Sequence, residues 1–169
     1  MFQVNDVVLY GGDGICQIVD ISRQTIHHQT NTYYILRPLA DPSSSTWVPL
    51  GNERALQQMR PVLSSAEIRQ LVEEIPEEDL VWIENDAIRR EKYKQILQSG
   101  DRTAIMRLIK TLYLQQKEKT RQGKKLHNRD EQFLKEAEKL LYGEFAYVLH
   151  IKPEEVPGWI LHQLGMDQG

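Results

Sequence analysis

A single cysteine, Cys16, in 169 residues excludes an internal disulfide. Its neighbours "GICQIV" read as a strand, so the thiol is expected to be buried and structural rather than reactive. No apolar run approaches the roughly 20 residues of a membrane-crossing helix. The opening "MFQVNDVVLY" has none of the charged, apolar and small-residue regions of a secretory leader. These absences point to a cytoplasmic protein with no membrane partner. At 40% hydrophobic and 27% charged, the chain is expected to fold rather than remain disordered.

The residues of most enzyme chemistries are also missing or wrongly spaced. His27, His28, His127, His150 and His162 have no second His or Cys at zinc-ligand distance. The pair His27-His28 reads as a solvated turn. "GGDG" at residues 11–14 is neither a P-loop nor a dinucleotide fingerprint, and reads as a hairpin turn needing positive φ. Glu73, Glu74, Glu77, Glu78 and Asp79 cluster on a polar linker, without the apolar setting that raises a carboxyl pKa. No activated serine or cysteine pattern appears. No cofactor, no metal and no enzymatic activity are expected, which leaves binding.

Net charge is small, at -3, but charge is unevenly divided along the chain. From Asp101 to Asp130 nine lysines and arginines face three acids, so the segment carries +6 and the remainder -9. Such asymmetry suits an anionic partner for one region, or a solvated helix face.

The first sixty residues read as strands. "DVVLY", "GICQIVDI", "TYYILRPL" and "TWVPL" are β-branched and aromatic, and turn-forming stretches separate them. Short strands at this spacing predict a small, strongly bent sheet or barrel. Alternation requires that one of Tyr33 and Tyr34 enter its core. Pro49 near the end of "TWVPL" fits an edge strand. After Val62 the period becomes helical. Ser64 to Glu67 form a capping box, and a first helix runs to about Glu74. A second covers roughly Leu80 to Ser99, with Gly100 as its stop and Asp101 as the N-cap of a third. Asn128 and Glu131 mark a fourth, with Phe133, Leu134, Ala137, Leu140 and Leu141 on one face. "KPEEVPGWILHQL" is a fifth, short helix. The expected class is α+β, a β domain over residues 1–62 and a helical domain over 63–169.

The stretch "DLVWIENDAIRREKYKQ" stands apart. On a helix beginning near Leu80, Trp82 shares a face with Arg89, Tyr93 and Ile96. A face mixing aromatic and basic side chains is compatible with core packing, with a protein pocket, or with a wedge against stacked bases.

The sequence resembles the CarD/CdnL family of bacterial transcription regulators. The opening "FQVNDVVLYGGDGICQIVDI" looks like that family's N-terminal signature, through Phe2, Val4, Asp6, Val8, Tyr10 and Gly14, with Asn5 in place of the usual glycine and Gly11 in place of the usual proline. "QSGDR" and "AEKLLYGEFA" extend the resemblance to Leu149. The resemblance implies a Tudor-like β-barrel domain that binds the RNA polymerase β subunit, a module shared with the transcription-repair coupling factor. Arg23, Thr46, Trp47, Val48 and Pro49 are the corresponding contact residues. It also implies a helical domain that contacts promoter DNA at the upstream edge of the melted bubble and stabilises the open complex, the protein acting as a monomer. Trp82 would be the minor-groove wedge, one helical turn upstream of its place in the family pattern. Arg89, Arg90, Lys92, Lys117, Lys119, Lys124 and Lys125 would hold phosphates. The alternative is a protein-protein adaptor that uses the same β module without touching DNA.

Overall fold

The computed structural model describes residues 1–76 and 82–165. The chain divides into two units, Met1–Leu63 and Ser64–Gly169. β-Branched and aromatic runs build the first, and helices of period 3.6 build the second.

Five strands make up the sheet of the first unit: β1 (Val7–Tyr10), β2 (Gly14–Ile26), β3 (Gln29–Pro38), β4 (Thr46–Pro49) and β5 (Met59–Pro61). They run antiparallel in the order β4-β3-β2-β1-β5. The sheet does not close into the expected barrel. Among the described residues β4 and β5 are its two edges, and closure would require them to pair. Both are short and each ends in a proline, Pro49 or Pro61, which offers no N–H to a ladder. The short helix α1 (Glu53–Gln57), which the sequence reading did not foresee, joins them and is capped by the Asn52 side chain.

One face of the sheet buries Val8, Cys16, Ile18, Tyr34, Leu36, Val48 and Met59, with Phe2, Tyr10 and Leu56 packed against them. Alternation is resolved with Tyr34 inside and Tyr33 outside. Cys16 is completely buried, and burial, helped by the charge of Asp13, pushes its thiol up to about 11. "GGDG" makes the β1–β2 turn with Gly11 and Gly14 at φ 42° and 71°. His27 and His28, at φ 51° and 64°, form the two-residue turn between β2 and β3. Asn5 sits at φ 77°, a left-handed position that asparagine tolerates in place of glycine.

The second unit contains the five expected helices: α2 (Ser65–Glu73), α3 (Asp86–Ser99), α4 (Arg102–Arg121), α5 (Asn128–Leu149) and, after a 3-10 turn at Pro153–Glu155, α6 (Val156–Gln163). Both bonds of the Ser64–Glu67 capping box form, each at 3.1 Å. Gly100 takes φ 67°, and the Asp101 carboxylate accepts from the N–H groups of Thr103 and Ala104. The capping pattern expected at Asn128 does not form: His127 is the N-cap residue, its side chain makes no capping bond, and Asn128 is already helical. Ile68, Tyr93, Ile109, Leu112, Phe133, Leu141, Phe145 and Ile160 are among the buried residues of the core. Leu140, expected on the buried stripe of α5, is 36% exposed. The second helix begins at Asp86, not near Leu80; Leu80 itself and the acidic stretch Glu77 to Asp79 lie outside the described residues. Among the described residues, no helix is long and apolar enough to cross a membrane.

Candidate protein and nucleic-acid interfaces

In the first unit the expected contact strand, β4, is an edge, as Pro49 suggested. Among the described residues it pairs only with β3, placing Tyr33 opposite Pro49, Tyr34 opposite Val48, Ile35 opposite Trp47 and Leu36 opposite Thr46. The Leu50 N–H donates to the Thr32 carbonyl at 2.9 Å. Antiparallel pairing alternates, so the backbone N–H and C=O of Trp47 turn away from β3 toward the open edge. The Trp47 ring is 43% exposed and lies 5.6 Å from the ring of Tyr33, outside the core face. An aromatic pair therefore stands beside an unpaired strand edge, an arrangement able to take up a further strand and hold a side chain at its flank. Thr46 is half-buried and its hydroxyl donates to Asp13 Oδ2 at 2.8 Å.

Two residues assigned to this contact stand apart from the exposed edge and its aromatic pair. Val48 is completely buried in the sheet core, so its side chain presents nothing outward. Arg23 lies exposed on β2, two strands in, opposite Thr32. Thr32 shares its face with Tyr34, whereas Trp47 shares its face with Ile35 and Tyr33. The sheet thus sets Arg23 and Trp47 on opposite faces.

In the second unit, Trp82 precedes α3 rather than belonging to it. The Asn85 side chain accepts from the Ile88 N–H at 3.0 Å and fixes the helix start one residue later. Trp82 still meets Arg89, because the side chain of Arg89 folds back over the segment before the helix. Its guanidinium carbon stands 4.3 Å from the centre of the Trp82 ring. Its Nε and Nη2 donate to the two carboxylate oxygens of Asp130, both at 3.0 Å. Nη1 donates to the carbonyls of Ile83 at 2.9 Å and Glu84 at 3.4 Å, and Nη2 also donates to Asp86 at 2.8 Å. All five N–H groups are engaged and Arg89 is 2% exposed. Arg89 is therefore not turned toward solvent behind Trp82, as expected for a phosphate ligand; it is a buried tie between the Trp82 segment, α3 and α5. The hydrogen bond and charge of Arg89 hold the Asp86 carboxyl below the usual carboxylate range.

Tyr93, placed on one face with Trp82 and Arg89, is likewise buried. It packs edge-on against Phe133 at 5.5 Å, and burial followed by the charge of Asp130 pushes its hydroxyl up to about 12. Trp82 itself is half-exposed, with one ring face under the guanidinium. Arg90 is half-buried and Lys92 is exposed on α3.

The basic segment separates into two parts. Arg102 donates from Nε and Nη2 to the two oxygens of Glu144, at 2.9 and 2.7 Å, and the Glu144 side chain is completely buried. Lys110 is buried, reaches the Ile75 carbonyl at 3.4 Å, and has its pKa lowered by burial. These cations belong to the interior. Lys117, Lys124 and Lys125 are exposed and Lys119 is half-buried. After α4 the chain reverses at Gly123, φ 73°, and the Lys124 N–H returns to the Lys119 carbonyl at 2.7 Å. The turn gathers Lys119, Lys124 and Lys125 at the C-terminal end of α4, where the helix dipole favours cations. Arg121, close by, is held by Glu118 at 2.7 Å.

Sequence reasoning missed Asp130, Glu144 and Asp86 as partners of the arginines. The Asp86–Arg89 spacing of three on one helix was a usable sign; the other two partners lie on α5, far along the chain.

Among curated proteins none matches the chain. The family description CarD-like/TRCF RID domain matches residues 2–63, and CarD, C-terminal domain matches residues 70–160. The second match carries the likeness past Leu149 through most of α6. Together the two cover both structural units, and the chain belongs to the CarD family of RNA polymerase-interacting transcription regulators.

Proposed function

We propose that the protein binds the RNA polymerase β subunit through the β4 edge and contacts promoter DNA at the upstream edge of the bubble through its helical unit, stabilising the open complex. Trp82 is the wedge, and the exposed lysines at the end of α4 hold phosphates. The observation that carries this reading is Trp82 itself: a large ring kept half-exposed outside a helix, with one face backed by a cation that is fixed from below. A side chain meant only for the core would be enclosed on both faces, as Phe145 is at 0% exposure. On the β side, Trp47 with its outward backbone groups offers a peptide strand both pairing and an aromatic flank.

The test is Trp82→Ala, assayed for folding and for open-complex lifetime with purified polymerase. Loss of one cation–π contact costs about 1–2 kcal/mol of folding stability, whereas loss of an unstacking contact with bases costs roughly 1–3 kcal/mol and shortens the complex accordingly. An unchanged lifetime in a well-folded variant refutes the wedge. A second reading, a polymerase-binding adaptor without a DNA role, draws on the internal use of Arg89, Arg102 and Lys110, which leaves fewer cations for phosphate than the sequence suggests. It requires that DNA add nothing to polymerase binding at low salt.

A further inference from the structure

We infer that Arg89 is a positioning residue for Trp82, and that the Arg89–Asp130–Asp86 network sets the angle and depth at which the ring stands out from the helical unit. The inference rests on the reading of Trp82 as the contact to DNA, and goes one step further back, to what aims it.

The geometry is specific. Trp82 has no helix of its own to orient it, since α3 begins at Asp86 behind the Asn85 cap. Residues that precede a helix without regular hydrogen bonds have many conformations open to them, and an exposed ring on such a segment loses entropy whenever it is ordered. Arg89 removes that freedom at three points at once. The guanidinium carbon stands over one ring face, 4.3 Å from its centre. The same guanidinium takes the carbonyls of Ile83 and Glu84, the two residues that follow Trp82. Its remaining donors are anchored on Asp130 of α5, which is 0% exposed, and on Asp86 in the first turn of α3. Ring and backbone are therefore referred to the same buried carboxylate. A lysine could keep the charge but not the pattern: it lacks the planar fork that stacks on the ring while donating in five directions. Ordering the ring before it meets DNA lowers the entropy lost on contact, which is how a preorganised side chain gains affinity.

The experiment uses the full chain with Trp47→Phe and Trp159→Phe, so that Trp82 is the one fluorophore of its kind. Acrylamide quenching and fluorescence anisotropy of Trp82 are measured alone and in the Arg89→Lys variant. Arg102→Lys serves as the control, since Arg102–Glu144 is also a two-pronged pair onto α5 but starts from the first turn of α4 rather than from α3. The expected result is a rise of at least about twofold in the quenching constant and a fall in anisotropy with Arg89→Lys, as the cation leaves the ring face and opens it to solvent. Arg102→Lys is expected to lower the melting temperature while leaving both Trp82 readings unchanged. Wild-type quenching and anisotropy in a folded Arg89→Lys protein, or an equal change with Arg102→Lys, overturns the inference. If Arg89→Lys does not fold, Asp86→Ala replaces it; that exposed carboxylate can be removed without stranding a buried charge. A smaller rise in quenching is then expected, and no rise overturns the inference. Failure of the underlying reading looks different: Trp82 is released by Arg89→Lys, yet Trp82→Ala leaves the open-complex lifetime at its normal value.

Discussion

Removing the carboxylate beneath Arg89 tests whether the helical unit depends on that tie. Asp130→Ala deletes two of the five acceptors of the guanidinium and leaves a cation whose side chain is 3% exposed. Breaking one partner out of a buried ion pair costs about 3–5 kcal/mol. Three acceptors remain here, the Ile83 and Glu84 carbonyls and Asp86, whose side chain is 55% exposed. They satisfy part of the charge, so the expected loss falls in the lower half, about 3–4 kcal/mol. At roughly 4–8 °C per kcal/mol for a unit of this size, that is a fall of about 12–32 °C in the melting transition of residues 64–169. Circular dichroism with both heat and urea reads it. The double variant Arg89→Met with Asp130→Ala is expected to recover part of the loss, because the stranded charge, rather than the missing attraction, is the larger cost. A loss below about 1 kcal/mol for Asp130→Ala, with an unchanged urea slope, refutes the reasoning: the guanidinium would then reach water readily once its partner is gone.

Other consequences are open to simpler assays. Trp47→Ala is expected to weaken polymerase binding by about 1–3 kcal/mol with little effect on folding, because the ring lies outside the core; unchanged affinity moves the contact off this edge. Replacing Lys117, Lys119, Lys124 and Lys125 with alanine should lower DNA affinity for every sequence and flatten its dependence on salt, and a wild-type salt slope would remove this cluster from the interface. Cys16, with its pKa pushed up to about 11, stays protonated from neutral to mildly alkaline pH, so iodoacetamide should label it only after denaturation; rapid labelling of the native protein at pH 8 would contradict its burial.

Much of the fold was written locally. The Ser64–Glu67 box, the Gly100–Asp101 stop-and-start, the inward turn of Tyr34 and the edge position of β4 each follow from a few neighbouring residues, and each is present. The misplaced start of α3 was also a local matter: Asn85 is a strong N-cap, and giving it less weight than the apolar residues before it put Trp82 on a helix that it precedes. Barrel closure failed on the same scale, at Pro49 and Pro61. The roles of Arg89, Arg102 and Lys110 had no comparable sign. Arginine and lysine are almost never fully buried unless paired, and the partners of the two arginines stand 41 and 42 residues away. A count of charge over the basic segment cannot separate a cation that neutralises a buried carboxylate from one that faces solvent. The exposure of the Trp82 ring and of several lysines was therefore legible in the sequence, but the arginine beneath the ring was not.

Both buried carboxylates sit on α5, and this sets an order for synthesis. Chains emerge from the ribosome N-terminus first, at about 5–20 residues per second, and domains generally fold as units. The sheet unit has all of its strands once Leu63 is clear. Its longest pairing, β2 with β3, closes through a two-residue turn, so little chain entropy opposes it. In the helical unit α3 and α4 emerge with Arg89 and Arg102 already in place but, Asp86 on α3 apart, without the carboxylates that pair with them. Asp130, in the first turn of α5, supplies the buried partner of Arg89, and Glu144, near its end, that of Arg102, so both arginines can be drawn inside only when α5 is nearly complete. Until then the two helices carry uncompensated positive charge and an uncovered apolar stripe. A ribosome stalled a few residues short of Glu144 would hold a folded sheet unit beside a helical unit that has not yet closed.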